Sequence, residues 1–233
     1  MEIRTLHYLE GARDARGIAV VIDVFRAFST ACCLAAGSPT AIIPVADLSE
    51  AYELKRHNPQ WVLAGERGGR IQEGFDYGNS PSAVSGKDFT GKTVVLTTSA
   101  GTQGLAASYR HADEVVTGSF MNAAATAQWI LQRKPETVSL VCMGWNSCEP
   151  ADEDTSYAAY LESLLIGRPL PFSPIAHFLK NESTTKSFRH THDDPGAMRS
   201  DLDLCLSLDK FSFALKYTED PRPGLVPVHP VSA

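Results

Sequence analysis

A glycine-rich loop after an apolar segment contains the residue types most suggestive of chemistry. Residues 65–70 read Gly-Glu-Arg-Gly-Gly-Arg and follow a strand-like run at 61–64, so that Glu66 and Arg67 lie between glycines. Arginine binds anions through a planar fork of donors, and consecutive backbone N–H groups in such a loop add further donors. The carboxylate could hold a metal ion. The segment therefore predicts an anion-binding loop with a metal ligand.

A second pair of charged residues follows the apolar run 17–22. Asp23 comes directly after this run, where a carboxylate leaving a strand could act as a nucleophile or as a metal ligand. Arg26 follows three residues later and could donate two hydrogen bonds to a phosphate. The alternatives are a helix N-cap for Asp23 and a structural Asp–Arg pair. The sequence leaves these alternatives open.

A hydroxyl-rich turn follows another strand-like run at 93–98. Hydroxyls and backbone N–H groups at a helix N-terminus form a favourable anion site, although a plain capped helix start explains the same pattern. The candidate donors of this turn are Thr98, Ser99, Gly101 and Thr102.

Two adjacent carboxylates, Glu153 and Asp154, lie in the first turn of a predicted helix. The helix dipole alone favours acidic residues there. Adjacent hard oxygen donors, near two further carboxylate-bearing loops, also suit Mg²⁺. Both interpretations remain open.

These candidates are separated by an alternation of apolar β-rich segments and segments of helical period. We predict strands at 17–23, 40–46, 61–64, 93–98, 113–117 and 137–142. We predict helices at 27–36, 48–57, after Gly101, at 122–132 and at 151–165. This pattern is typical of an α/β fold with a mainly parallel sheet and helices on both faces. Because ligands gather at the carboxyl ends of such strands, we expect the candidate residues at one edge of the sheet.

The composition of the sequence changes after about residue 166, where prolines become frequent. We predict an α/β core over 1–166 and a smaller C-terminal α+β region over 167–233, forming a subdomain or a lid. A helix is expected at 200–208 and a strand at 211–215. The segment 186–194 is polar and contains two histidines and two aspartates, which suit either a metal site or a solvated loop.

Composition excludes several classes of protein. The chain has 233 residues, a formal net charge of -6 and no long block of one charge sign, which argues against a broad basic surface for nucleic acid. No apolar run approaches the roughly 20 residues that span a bilayer. Five cysteines, an odd number, do not indicate a disulfide framework. We therefore expect a cytoplasmic protein that binds neither nucleic acid nor membrane.

Six segments taken together, in order and spacing over roughly residues 18–166, resemble the 2-phosphosulfolactate phosphatase family. They are Val-Ile-Asp-Val-Phe-Arg-Ala at 21–27, Ala-Gly-Glu-Arg-Gly-Gly at 64–69, Gly-Phe-Asp-Tyr-Gly-Asn-Ser-Pro at 74–81, Thr-Thr-Ser-Ala-Gly-Thr at 97–102, Gly-Ser-Phe-Met-Asn at 118–122, and Val-Cys-Met-Gly at 141–144 with Glu-Asp-Thr at 153–155.

The resemblance implies Mg²⁺-dependent hydrolysis of a phosphate monoester on a 2-hydroxy carboxylic acid, releasing sulfolactate and phosphate in the named reaction. Asp23 would be a phosphorylated nucleophile or the base for water, with Arg26 and Arg67 holding the phosphate or the carboxylate of the substrate. Mg²⁺ would be held by some of Asp23, Glu66, Glu153 and Asp154. The expected neutral substrate-binding residues are Asn79, Ser80, Thr98, Ser99, Gly101, Thr102 and Gly144.

Two alternatives remain open at the level of sequence. One is a phosphatase for another small hydroxy-acid phosphate, and the other is a non-catalytic binder of such a ligand. A homodimer is expected only because enzymes of this kind often form one.

Overall fold

The parallel strands of this chain are divided between two sheets. The computed structural model describes residues 1–183 and 195–231. Six strands form one sheet in the order β1-β7-β2-β6-β8-β9, and three form a second sheet in the order β3-β5-β4. The strands are β1 Glu2–His7, β2 Ile18–Ile22, β3 Ala41–Pro44, β4 Val62–Gly65, β5 Thr93–Thr97, β6 Glu114–Gly118, β7 Thr137–Cys142, β8 Ala214–Thr218 and β9 Gly224–Val228.

The helices follow the strands as the alternating pattern predicted. They are α1 Tyr8–Arg13, α2 Ala27–Ala36, α3 Leu48–His57, α4 Pro81–Val84, α5 Gly101–Tyr109, α6 Ala123–Arg133, α7 Asp152–Leu165, α8 Phe172–Asn181 and α9 Pro195–Cys205, with a short 3₁₀ helix at Phe120–Asn122. The predicted α/β class, with a mainly parallel sheet between helices, is confirmed. The division of the strands into two sheets was not predicted.

Strand residues alternate between separate hydrophobic cores, and this alternation sets the layers. In β2, Ala19 and Val21 belong to a core that also contains α2, α5 and the inner face of the small sheet. Ile18, Val20 and Ile22 face the opposite core, with α6 and α7. A third core packs α3 on the outer face of the small sheet. Each sheet therefore has both faces covered, which explains why its parallel strands are almost wholly apolar.

Helix boundaries agree closely with the local signals in the sequence. Helix α2 covers the predicted residues, and α3 begins after Asp47, whose side chain accepts a hydrogen bond from Ser49 N at 2.8 Å. Helix α9 begins and ends earlier than predicted, and β8 begins later than the strand expected at 211–215.

The C-terminal region contributes to the main sheet. Strand β8 pairs with β6 and with β9, in both cases antiparallel. Strand β1 and helix α8, neither of which we predicted, lie at the two ends of the described N-terminal range. The histidine-containing segment 186–194 lies outside the described residues. Among the helices of the described ranges, none combines the length and the apolar character needed to cross a membrane.

Candidate functional site

The carboxyl ends of strands from both sheets meet at one acidic cleft. The turns after β2, β4, β5 and β7 all contribute to its wall, as expected for parallel strands. The described residues that line the cleft are Asp23, Phe25, Arg26, Glu66, Gly69, Asn79, Ser99, Ala100, Gly144, Trp145, Asn146, Ala151, Glu153 and Asp154. They include four carboxylates and one arginine.

Asp23 lies at the end of β2, where main-chain donors fix its carboxylate. Its Oδ1 accepts a hydrogen bond from Ala27 N at 3.2 Å, and its Oδ2 accepts one from Gly101 N at 2.9 Å. Burial, with a smaller contribution from the charge of Glu66, raises the pKa of Asp23 to about 6 against the lowering effect of the two N–H groups and of Arg26. Asp23 is thus a carboxylate of fixed orientation whose pKa of about 6 lies above the usual aspartate range.

Asp154 is held in the same way from the first turn of α7. Its two carboxylate oxygens accept hydrogen bonds from Val24 N at 3.0 Å and Gly144 N at 2.8 Å. Burial raises the pKa of Asp154 well above its usual range, and the negative charges of Glu153 and Asp23 raise it further. Asp23 and Asp154 repel each other when both are ionised, and a bound cation would relieve that repulsion.

Glu66 lines the cleft from the glycine-rich loop after β4. Its carboxylate accepts hydrogen bonds from Ser99 N at 2.6 Å, Gly69 N at 2.7 Å and Ser99 Oγ at 2.9 Å. Ser99 Oγ also accepts a hydrogen bond from Gly68 N at 2.9 Å. The loop after β4 and the turn after β5 are therefore joined through Glu66.

The turn after β5 binds carboxylates of the protein itself. Its N–H groups from Ser99 and Gly101 donate to Glu66 and Asp23. Thr98 and Thr102 are buried and bond to each other, each backbone N–H donating to the hydroxyl of the other at 3.0 and 3.1 Å. In the structure, Thr98, Gly101 and Thr102 thus support the cleft wall without lining it, and their predicted contact with substrate stays a prediction.

Gly101 allows the close approach of this turn to Asp23. A Cβ atom at this position would lie 2.9 Å from Ala27 Cβ and 3.0 Å from Asp23 Oδ2, closer than ordinary packing allows. Gly144, after β7, combines a left-handed φ of 67° with a similar restriction, because its Cβ would lie 2.1 Å from Glu149 O. Both glycines let the main chain bring an N–H group to a carboxylate.

Arg26 and Arg67 have different surroundings. Arg26 lines the cleft and is 4% exposed. Arg67 is absent from the cleft wall that the structure describes. Its guanidinium donates to Glu66 O and Ala46 O, both at 2.8 Å, and to Thr97 Oγ1 at 2.6 Å. In this structure Arg67 braces the loop that presents Glu66, and its predicted role in holding substrate remains untested.

Asp201 is a buried residue near the site that the sequence reasoning missed. It lies on α9 and accepts a hydrogen bond from Arg26 Nη1 at 2.6 Å, in an ion pair whose side chains are 4% and 1% exposed. It also accepts hydrogen bonds from Ser80 Oγ and Ser82 Oγ. An aspartate on an amphipathic helix gives no local signal of this role, because its partner lies 175 positions away in the chain.

Asn79 and the loop after β7 complete the cleft. Asn79 is 8% exposed, and its Oδ1 has no hydrogen-bond partner among the described residues. Ser80, the next residue, bonds to Asp201 behind the wall. Trp145 and Asn146 line the cleft and were not predicted as site residues. The only signal for them in the sequence was that they belong to a polar loop directly after a predicted strand.

The oxygen donors of the cleft suit Mg²⁺. Within the described ranges no three His, Cys, Asp or Glu side chains converge closely enough to enclose a metal by themselves. Mg²⁺ seldom needs such an enclosure, because it is usually bound by one or two carboxylates, several waters and phosphate oxygens of the substrate. Asp23 and Asp154, whose pKa values are raised by desolvation and by neighbouring negative charge, fit that requirement together with the oxygen of Asn79 that has no partner among the described residues.

An acidic cleft at the carboxyl ends of parallel strands, with one arginine in its wall, defines an α/β protein suited to bind a divalent cation with a small anionic ligand. Comparison with known proteins gives the family. The 2-phosphosulpholactate phosphatase family matches residues 5–220, nearly the whole chain. This protein therefore belongs to the 2-phosphosulfolactate phosphatase family, which confirms the resemblance seen in the sequence.

Individual relatives carry the same name. A probable 2-phosphosulfolactate phosphatase of Caldicellulosiruptor saccharolyticus is 36% identical over 221 residues, covering 87% of this chain and 90% of the relative. Proteins of the same name from Synechococcus strains WH7803 and RCC307 are 35% and 36% identical, covering 71% and 68% of this chain and 70% and 64% of the relatives.

Proposed function

We propose that this protein is a Mg²⁺-dependent phosphatase that hydrolyses 2-phosphosulfolactate to sulfolactate and phosphate. The observation that carries the proposal is the convergence of Asp23, Glu66, Glu153, Asp154 and Arg26 on one cleft in a member of this family. A substrate with phosphate, carboxylate and sulfonate groups carries several negative charges. Four carboxylates would repel such a substrate unless a cation neutralised them.

Asp23, Glu66, Glu153 and Asp154 form the set from which the metal would take its protein ligands. A bound Mg²⁺ would neutralise charge on the phosphoryl oxygens as the ester bond breaks. Asn79 Oδ1 would accept a hydrogen bond from a water of that ion or from the substrate. Arg26 would donate to a phosphoryl oxygen, because it is the one cationic side chain in the described wall of the cleft.

Asp23 is the group assigned to the chemical step. In one route it takes a proton from water, whose oxygen attacks phosphorus while the bond from phosphorus to the C2 oxygen breaks, and the C2 oxygen takes up a proton to become the hydroxyl of sulfolactate. In the other route it attacks phosphorus itself and displaces the C2 oxygen, which takes a proton from solvent. Water then hydrolyses the acyl phosphate, which releases phosphate and restores the carboxylate. Both routes need an ionised carboxylate of fixed direction, and the N–H groups of Ala27 and Gly101 supply that direction.

The test measures phosphate release from 2-phosphosulfolactate with Mg²⁺, with the metal chelated, and from a panel of other 2- and 3-hydroxy-acid phosphates. We expect metal-dependent release, fastest from 2-phosphosulfolactate. Release from none of the esters would contradict the proposed activity, and faster release from a sulfonate-free ester would contradict the proposed substrate. Acid quenching during turnover separates the two routes, because only the second leaves phosphate covalently bound to the protein.

A further inference from the structure

Asp201 reaches the site from the C-terminal region through a network of buried hydrogen bonds. Its Oδ2 accepts from Arg26 Nη1 at 2.6 Å. Its Oδ1 accepts from Ser80 Oγ at 2.8 Å, from Ser82 N at 2.9 Å and from Ser82 Oγ at 2.6 Å. Asp201 is fully buried and does not line the described wall of the cleft. It can therefore affect a ligand only through the residues that it holds.

The charges around Arg26 give this contact a specific consequence. Arg26 lines the cleft together with four carboxylates. Its positive charge lowers the pKa of the nearby Asp23, so the two groups attract each other. An arginine held only by flexible contacts would be drawn onto those carboxylates and would compete with a cation for them. Asp201 lies outside the described wall of the cleft and forms an ion pair with the guanidinium, which limits where the guanidinium can lie.

Asp201 also fixes the segment that carries Asn79. Ser80 immediately follows Asn79 and donates to Asp201 from the N-terminus of α4, while Ser82 donates two further hydrogen bonds from the same turn. One carboxylate thus joins the turn after β2 to the segment before α4. Buried ion pairs are often no more stabilising than apolar residues of the same volume, so stability alone does not account for this pair.

We propose that Asp201 is a positioning residue that holds Arg26, and with it the segment at Asn79, in the geometry that binds the phosphate group. The inference rests on the proposed function, because it assigns Arg26 to the phosphoryl oxygens. It adds a requirement for α9, outside the stretch in which the motifs of the family were recognised.

The experiment compares Asp201→Asn with Asp203→Asn. Asp203 lies two residues further along α9, is exposed and pairs with Lys180, so it is a matched control for loss of a charge on this helix. The amide group introduced by Asp201→Asn would present its NH₂ to another donor, either Arg26 or the two serines. We measure kcat and KM for 2-phosphosulfolactate, and the dissociation constant of inorganic phosphate with Mg²⁺ by calorimetry.

We expect Asp201→Asn to lower kcat/KM about 100-fold and to weaken phosphate binding about 10-fold, because small misplacements of a binding group have effects of this size. Asp203→Asn should change both less than about 2-fold. In the background Arg26→Met, adding Asp201→Asn should cause a smaller loss than it causes in the wild-type protein, because only the hydrogen bonds of Asp201 to the segment at Asn79 are left to disturb. This double variant leaves no unpaired buried guanidinium and remains a test if Asp201→Asn alone fails to fold.

The proposal is overturned if Asp201→Asn matches Asp203→Asn in both constants, or if the losses of Arg26→Met and Asp201→Asn multiply in the double variant. A protein that binds phosphate but releases none from any ester would contradict the proposed function alone. The phosphate dissociation constants of the variants would still decide the role of Asp201.

Discussion

The turn after β2 and the loop after β4 contain the same types of charged residue, but the arginines of the two segments have different surroundings. Each follows a buried strand with a carboxylate and an arginine, Asp23 with Arg26 and Glu66 with Arg67. Both carboxylates line the cleft and accept main-chain hydrogen bonds. Arg26 also lines the cleft, whereas Arg67 bonds to carbonyl groups behind it. A carboxylate that directly follows a strand therefore lines the cleft in both regions, whereas an arginine in the same turn lines it in only one.

The difference follows from how each side chain is satisfied. Each carboxylate accepts at least one hydrogen bond from a main-chain N–H group three or four residues further along its own turn. A guanidinium needs acceptors, and most of those here come from distant segments: Asp201 for Arg26, and the carbonyl of Ala46 and the hydroxyl of Thr97 for Arg67. The tertiary structure thus selects one arginine for the cleft and the other for the loop.

The largest expected effect is that of Asp23→Asn. We expect kcat to fall by about 10³-fold or more, because the variant removes the nucleophile or base of either route. The fold should survive, since removal of the charge offsets the contact between the introduced NH₂ group and the N–H group of Ala27 or Gly101. Phosphate release and the melting temperature are measured together. Near-normal kcat in a folded variant would transfer the chemical step to another residue.

The same carboxylate makes stability depend on pH when no metal is bound. Asp23 has a pKa of about 6 in the folded protein, above the value of 3.8 for an ordinary aspartate, so the folded state binds more protons between these values. The free energy of unfolding should therefore fall as pH rises through this window, by as much as about 3 kcal/mol, and level off above it.

Denaturant unfolding in the presence of a chelator checks this pH dependence, with Asp23→Asn as the control that should lose much of it. Added Mg²⁺ should restore stability above pH 6. A fall of the same size in Asp23→Asn would show that other groups cause it, with Asp154 the first to consider because its pKa is also raised.

Identical substitutions at the two arginines sharpen the comparison of the two regions. We expect Arg26→Lys to lower kcat/KM about 100-fold, in the range seen when a donor to transition-state charge is removed. Lysine is a point charge and cannot both pair with Asp201 and present a donor fork to phosphate. Steady-state kinetics of the folded variant measure the loss. A change below about 3-fold would remove Arg26 from the phosphate site.

Arg67→Lys should have the smallest effect on turnover, within about 5-fold, and should instead lower stability by about 1–2 kcal/mol. Lysine cannot donate in the directions of all three acceptors of Arg67, so loop hydrogen bonds are lost. Denaturant unfolding and kinetics are compared with those of Arg26→Lys. If Arg67→Lys instead lost as much activity as Arg26→Lys at unchanged stability, Arg67 would have to reach the substrate, as the sequence first suggested.

Local signals were sufficient for most elements of the first two thirds of the chain, although β1, α1 and α4 were not predicted. Helix α2 ends directly before Gly37, and the side chain of Asp47 caps the start of α3, so residues close in the chain set both boundaries. Apolar runs located β2, β5 and β7 to within about one residue. These features are determined by neighbouring residues in the chain, which is why the sequence reveals them.

The sequence also determined which carboxylates face the cleft, because each directly follows a strand or begins a helix at the carboxyl edge of a sheet. It did not determine that the strands form two sheets, since apolar parallel strands look alike in either sheet. Only the tertiary structure decided that the N–H groups of the turn after β5 bind Asp23 and Glu66, and that Arg26 is held by Asp201. Those contacts join segments far apart in the chain, and only packing brings their donors and acceptors within hydrogen-bond distance.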